Sequence, residues 1–408
     1  IWKSFLQDNE WVASCKRINK ENLPTKLLTT VDFEEDEEQR DDDLSSKVLS
    51  TYIMAKSAIA NNSNISPIGS HLLYSELQHK YNIYRQIINY LSSLPSILTD
   101  NEIQKPIFIC GLARSGTTLL YNLLACDTNG RAPLLTDMLT PIPPLKRTDY
   151  AEHQEKLKSL KSLNIDHIIP GSDTERTQSH PVFSIEEDSR ITFYTGHNFL
   201  YFILCPIKSQ ISEYEKWYLD EHDKEFVYEF HKLFLKMLQS VDKPISHWIL
   251  KCPTHALTLQ TLLKYYPSAS IIVADRDLKE VLPSVARLFA AYTFYYYSNE
   301  TLKLKAMGMR TLEIFDKLVD NILQFGNENK RILHVKYQDL MKNPIDVVHQ
   351  IYEHFGYQLT LDFDQKMERW LIDNPQGAQG RNDYNLEQFG LDAEEIDKRY
   401  EKYSKLFL

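Results

Sequence analysis

Residues Pro106 to Ala125 read PIFICGLARSGTTLLYNLLA. A short apolar run meets a turn containing two glycines and then an apolar-periodic segment, the order strand, loop, helix of a parallel α/β unit. Gly111 permits a tight turn, and Gly116 lets backbone approach a ligand. The amides of Ser115, Gly116, Thr117 and Thr118 fall at a helix N-terminus, where unpaired N–H groups and the helix dipole favour an anion. The hydroxyls of Ser115, Thr117 and Thr118 add donors, and Arg114 adds a planar fork that grips two oxygens. A nucleotide-hydrolysing loop of the form Gly-x-x-x-x-Gly-Lys-Ser/Thr needs lysine where this chain has Thr117, so ATP or GTP hydrolysis is disfavoured.

The same alternation recurs downstream. HWILK leads into a helical pattern over His255 to Tyr265, ASIIVADRD into LKEVLPSVARLF, and RILHVKY into a helix starting near Asn343. Strands alternating with helices predict an α/β, P-loop-like three-layer fold with a central parallel sheet and helices on both faces. A large helical insertion is expected at about residues 150–240, where Phe226, Phe230, Leu233, Phe234, Met237 and Leu238 line one face of a long helix. The α/β domain is placed over residues 104–408. Residues 1–103 read as an N-terminal helical layer, with Leu72, Leu73, Leu77, Tyr81, Tyr84, Ile87, Ile88 and Leu91 at helical spacing. Within it, residues 32–43 hold nine acidic side chains and predict a solvated loop.

With 408 residues, 43% of them hydrophobic and 25% charged, the chain can bury a large core. Its net charge of -10 and lack of an evident basic face argue against a nucleic-acid partner. The five cysteines, Cys15, Cys110, Cys126, Cys205 and Cys252, are odd in number and scattered through apolar runs. They read as core thiols and favour a reducing compartment, the cytoplasm. No apolar run is long enough for a membrane span, and Ile1 opens no signal-like segment. The chain does not start with Met, and sequons stand at Asn61, Asn64 and Asn299, so a Golgi or ER lumenal location stays open if an N-terminal anchor was removed.

A second anion-directed stretch is ADRDLKEVLPS, Ala274 to Ser284. Arg276 follows a strand's C-terminal end, where open α/β sheets bind ligands, and Ser284 comes about two helical turns later. Together they are suited to clasp a second phosphate. The alternative is that Arg276 only pairs with Asp275 or Asp277.

These segments resemble the sulfotransferase superfamily, which moves sulfuryl groups from 3′-phosphoadenosine 5′-phosphosulfate (PAPS), in the branch whose loop reads Gly-Leu-Pro-Arg-Ser-Gly-Thr-Thr. GLARSGTT matches the 5′-phosphosulfate loop and DRDLKEVLPS the 3′-phosphate motif. HWILKCPTHALTLQTLLKYYP, VKYQDLMKNP and YNLEQFGLDAEEI extend the likeness over about residues 104–408. The resemblance implies that Arg114, Ser115, Gly116, Thr117 and Thr118 hold the 5′ end of PAPS, and that Arg276, Ser284 and Arg381 hold the 3′-phosphate. It implies cationic and basic tasks for Lys251 and His255, with Glu186 or Glu187 of SIEED as the other candidates for the base, and no metal. Twenty-four tyrosines and eighteen phenylalanines suit a small lipophilic or aromatic hydroxyl acceptor. Where the family has HRDP this chain has DRDL, which sets Asp275 beside Arg276 and is expected to weaken anion affinity. Arg381 is the only basic residue of GAQGRNDY. A weakened 3′ grip motivates an alternative, a lyase or cyclase of this fold that releases diphosphate from an isoprenyl diphosphate without PAPS. A third reading is a catalytically silent binding protein.

Overall fold

The computed structural model describes residues 27–33, 42–99, 102–162, 185–204, 212–220, 223–294, 296–297, 304–325, 329–375 and 385–408. Most of the acidic run, together with Cys15, Cys205, Asn299 and Arg381, lies outside the described residues.

Two long helices come first. Helix α1, Asp43–Ala60, begins where the Asp42 carboxylate accepts from the Leu44 amide at 3.1 Å, and it buries Val48, Tyr52, Ala55 and Ile59 along one side. Helix α2, Pro67–Ser93, starts at Ser66, whose hydroxyl accepts from the Gly69 amide at 2.9 Å, with Pro67 in the first turn. Both helices share a hydrophobic core with one face of the sheet that follows, and Tyr84 meets Phe230 with ring centroids 5.2 Å apart.

That sheet is formed by β1 (Ile107–Gly111), β2 (Gly130–Arg131), β3 (His247–Lys251), β4 (Ser270–Asp275) and β5 (Ile332–Lys336), all parallel, in the order β2-β3-β1-β4-β5. Strand β2 has only two residues, too few for a periodic signal, and the sequence pattern predicts only the other four. Parallel sheets are covered on both faces, and the strand residues sort accordingly. Ile107, Ile109, Ile249 and Ile272 join the core beneath α3 (Thr117–Leu124) and α9 (Pro344–Phe355). Phe108, Cys110, Trp248, Leu250, Ile271 and Val273 point to the opposite core, which the N-terminal helices also share.

The predicted helical insertion contains Tyr150–Ser162, a short α4 (Ser189–Phe193) and α5 (Glu225–Gln239), with two further short helices between the last two. After β3 come a 3-10 turn, Pro253–Thr258, and α6, Leu259–Tyr265. Helix α7, Leu278–Phe294, follows β4, and α8, Leu304–Phe325, packs against it. The tail ends in α10 (Ala393–Arg399) and α11 (Glu401–Phe407). Cys110, Cys126 and Cys252 are free thiols. Among the described residues no helix is long and apolar enough to cross a membrane.

His247 opens β3 from a buried position, its ring 4.5 Å from that of Tyr357 and its Nε2 3.3 Å from the Tyr352 hydroxyl. Burial pushes its imidazole down to about 4. Between that value and about 6.5 the unfolded chain takes a proton that the folded chain refuses, so stability falls as pH drops through this window. We expect His247 to account for about 2 kcal/mol of lost stability between pH 7 and pH 5. Urea midpoints at the two pH values should therefore differ less for His247→Gln than for the unaltered chain; an equal difference would remove His247 from the account.

Candidate active site

All of the polar machinery gathers where the strands end. Strand β1 exits through Gly111 at φ +104°, and a Cβ there would stand 3.0 Å from Val273 Cγ1 and 3.2 Å from the Ala274 amide nitrogen of the neighbouring strand. The turn continues through Arg114 at φ +68° and Gly116 at φ +84° into α3. A non-glycine residue in the left-handed region is strained by roughly 1 kcal/mol or more, a cost that recurs at ligand-binding loops. The Ser115 hydroxyl donates to the Leu112 carbonyl and so closes the loop from inside. Thr117 is buried and Thr118 exposed. The first-turn amides of α3 have no acceptors within the helix, which leaves them directed at the mouth of the loop.

Arg114 and Ser284, 170 residues apart in the chain, meet here: the Arg114 Nε donates to the Ser284 hydroxyl at 3.1 Å. Arg276 joins them, its Nη1 donating to the Arg114 carbonyl at 2.7 Å and its guanidinium lying 3.9 Å from the centre of the Tyr337 ring. The two anion-directed stretches therefore converge on one place. Arg276 pairs with neither Asp275 nor Asp277. Its Nε and Nη2 donate to the same oxygen of Glu280, one helical turn on, at 2.9 and 2.5 Å.

Asp275 corrects an expectation. Strand alternation turns its carboxylate away from Arg276 and into the protein, where it is buried and accepts from His334 Nδ1 at 2.7 Å and from the Tyr403 hydroxyl at 2.6 Å. Burial raises its carboxyl above the ordinary range, against the pull of His334. The acid that pairs with Arg276 is Glu280, and Asp275 instead fastens β4 to α11.

Lys251 ends β3 and forms an ion pair with Glu187. The Lys251 side chain is 5% exposed and that of Glu187 35%, so the carboxylate is the open member of the pair. Glu186, its neighbour, is turned to local work: one carboxylate oxygen accepts from the Glu187 amide at 3.0 Å and the other lies 3.4 Å from the Arg190 guanidinium. His255 lies deeper, with Nε2 2.8 Å from Asp188 Oδ2 and Nδ1 2.9 Å from the Tyr228 hydroxyl. Both ring nitrogens are thus engaged inside the protein. The ring also lines a small pocket with Thr192, His197, Lys224, Cys252 and Thr254.

Asp188 is the residue that sequence reasoning missed. It is fully buried, and the same Oδ2 that meets His255 also meets His231 Nε2 at 3.0 Å, while His231 Nδ1 is 2.6 Å from the Tyr266 hydroxyl. Burial by itself would raise the Asp188 carboxyl; the two imidazoles outweigh it and hold the group well below the usual carboxylate range. Burial keeps His231 below the ordinary imidazole value. Asp188, His231 and His255 are close enough to be read as a metal-ligand set, but their spacings of 2.8 and 3.0 Å are those of direct hydrogen bonds. The available signal was the third acidic letter of SIEED, with partners 43 and 67 residues away.

The five-stranded parallel sheet and the glycine-containing loop that runs from β1 into α3 define the class, P-loop-like α/β proteins. The chain belongs to the Sulfotransferase family, whose profile matches residues 106–361. It is 26% identical over 302 residues, 71% of each chain, to omega-hydroxy-beta-dihydromenaquinone-9 sulfotransferase Stf3 of Mycobacterium bovis and of Mycobacterium tuberculosis. Its fold matches the crystal structure of sulfotransferase STF9 from Mycobacterium avium, with a TM-score of 0.76 and 24% identity over 92% of this chain and 98% of that one. Sulfotransferase STF1 from Mycobacterium tuberculosis gives 0.71 and 20% over 98% and 99%. Neither the family nor these relatives lend support to the diphosphate-releasing alternative.

Because Glu280 is more than half exposed and occupies the Arg276 fork, an arriving anion must displace it. Glu280→Gln should therefore tighten the binding of inorganic pyrophosphate by roughly two- to fivefold at low salt, the worth of a partly exposed ion pair. Calorimetry in low and high salt reads this directly; unchanged affinity would mean that Arg276 does not meet the anion.

Proposed function

We propose that the chain is a PAPS-dependent sulfotransferase that sulfates a hydroxyl of a lipophilic small molecule. The observation that carries this reading is the meeting of Arg114, Ser284 and Arg276 past the ends of β1 and β4, with Lys251, paired to Glu187, at the end of the neighbouring β3. The residues present fit the donor: an exposed Arg114 and the free amides of α3 suit its 5′-phosphosulfate, and Arg276 with Ser284 suits its 3′-phosphate. Bound PAPS supplies an activated sulfuryl group, whose S–O bond to the 5′-phosphate breaks as the acceptor oxygen bonds to sulfur, the electron pair leaving with adenosine 3′,5′-bisphosphate.

Of the three candidate bases, Glu187 suits the task best, since His255 has both nitrogens engaged and Glu186 is held by Arg190 and the Glu187 amide. An anionic group near Lys251 competes with Glu187 for its ammonium. That exchange frees Glu187 to take the acceptor's proton and leaves Lys251 to offset the charge developing on the departing oxygens. A lipophilic acceptor is supported by half-buried rings leading away from both groups. Phe193, on the short helix after Glu187, lies 5.8 Å from Phe199, and Phe199 lies 5.6 Å from Tyr292, two turns beyond Ser284 on α7. The name of the Stf3 relatives points to a hydroxylated isoprenoid quinone as their acceptor, which agrees with this choice. Free thiols at Cys110, Cys126 and Cys252 suit a reducing, cytoplasmic setting.

The test is transfer of labelled sulfuryl from PAPS to a set of lipid alcohols that includes farnesol and a terminally hydroxylated polyprenyl quinone. Glu187→Gln should lower kcat by about 10²- to 10⁴-fold and Lys251→Ala by about 10²- to 10³-fold. Affinity for adenosine 3′,5′-bisphosphate should survive both changes and fall at least tenfold in Arg276→Ala. Pyrophosphate binding with no preference for the nucleotide, and pyrophosphate release from isoprenyl diphosphates, would overturn the reading.

A further inference from the structure

The turn that presents Glu187 is stitched to the end of β3 twice. The outer stitch is the ion pair from Glu187 to Lys251, half open to solvent. The inner one is Asp188, the next residue, whose single oxygen Oδ2 accepts from His255 just past β3 and from His231 on α5. Both imidazoles are held from behind, His255 by Tyr228 and His231 by Tyr266, and Tyr228 is held in turn by Thr258 at 2.8 Å. Each ring is therefore locked at both nitrogens, which fixes the point in space where the carboxylate must sit.

The proposed chemistry needs the outer stitch to open, because Glu187 cannot take a proton while it is paired with Lys251. A turn held only by that pair would be released at the moment its position matters. On its N-terminal side the turn is fixed by backbone, with the Glu186 amide donating to the Pro133 carbonyl at 3.1 Å and the Tyr121 hydroxyl to the Glu186 carbonyl at 3.0 Å. On its C-terminal side the first amides of α4 depend on it: Arg190 N–H donates to the Glu187 carbonyl at 3.3 Å and Ile191 N–H to the Asp188 carbonyl at 2.9 Å. These two bonds hold only while the carbonyls stay in place.

We propose that Asp188 is a positioning residue, whose carboxylate, clamped between His231 and His255, keeps Glu187 in place when the Glu187–Lys251 pair opens. The inference rests on the reading of Glu187 as the base, although the clamp is measurable without any turnover. It makes the buried histidines part of the active site's frame and assigns them no proton from the acceptor.

Amide hydrogen exchange on the full chain separates the two stitches. Glu187→Ala, which removes only the outer one, should leave exchange at Arg190 and Ile191 within about threefold of the unaltered protein. Asp188→Ala should speed it at least tenfold while the β1 and β4 amides stay protected. Asp188→Asn keeps an acceptor oxygen and should recover part of the protection, which also provides a reading if the alanine variant does not fold. Exchange in both Asp188 variants indistinguishable from the unaltered protein, or Glu187→Ala loosening the turn as much as either of them, overturns the proposal. With labelled PAPS and farnesol, Asp188→Asn should lower kcat about tenfold and leave KM for PAPS within twofold; an unchanged kcat counts against a positioning role. If the unaltered protein transfers nothing and binds no adenosine 3′,5′-bisphosphate, the sulfotransferase reading fails, while the exchange data still decide whether Asp188 clamps the turn.

Discussion

Everything at the cleft depends on β1 being the middle strand of a sheet buried on both faces. With β3 on one side and β4 on the other, the strand exits close against Val273 and Ala274, and its backbone at position 111, with φ +104°, favours glycine. The chain turns at once, and the turn delivers the start of α3, with its unpaired first-turn amides, to the C-terminal end of the sheet. Desolvated apolar faces thus push the unsatisfied polar groups to the strand ends, where Arg114 and Arg276 set two cations side by side in a protein of net charge -10.

Much of this was legible in the sequence, for physical reasons that can be named. The loop showed itself because its glycines, arginine and hydroxyls are contiguous and flanked by unambiguous apolar runs. Strands β1, β3 and β4 showed themselves because every residue of each is buried and most are apolar, and β5, only partly buried, by its apolar Ile332, Leu333 and Val335 ahead of a helical pattern. Strand β2 did not, since two residues have no period. The nearness of Arg276 to a strand's C-terminal end was legible from the apolar run before it; that Arg114 bonds directly to Ser284 across 170 residues was not.

The two acids at the end of β4 and the start of α7 show where local reading misleads. Asp275 adjoins Arg276 in the chain, yet adjacent residues at a strand end point to opposite sides, so nearness in sequence meant separation in space. Glu280, four residues on, is the true partner, because one helical turn restores the direction that one residue reverses. Asp188 is the opposite case. Nothing local distinguishes it from Glu186 and Glu187, and its role is visible only once α5 and the end of β3 are brought together around it.

Arg114 also sets a limit on how such a protein can change over evolutionary time. Its backbone occupies a region that glycine or asparagine would enter at less cost, while its side chain supplies a guanidinium that neither can replace. A substitution that relaxes the loop removes the cation, and one that keeps the cation keeps the strain. Drift toward a different ligand is therefore steered away from position 114 and toward the periphery, where Thr118 and Glu280 are exposed and carry no such conflict. Two requirements, one on the backbone and one on the side chain, thus meet in a single residue at the centre of the loop.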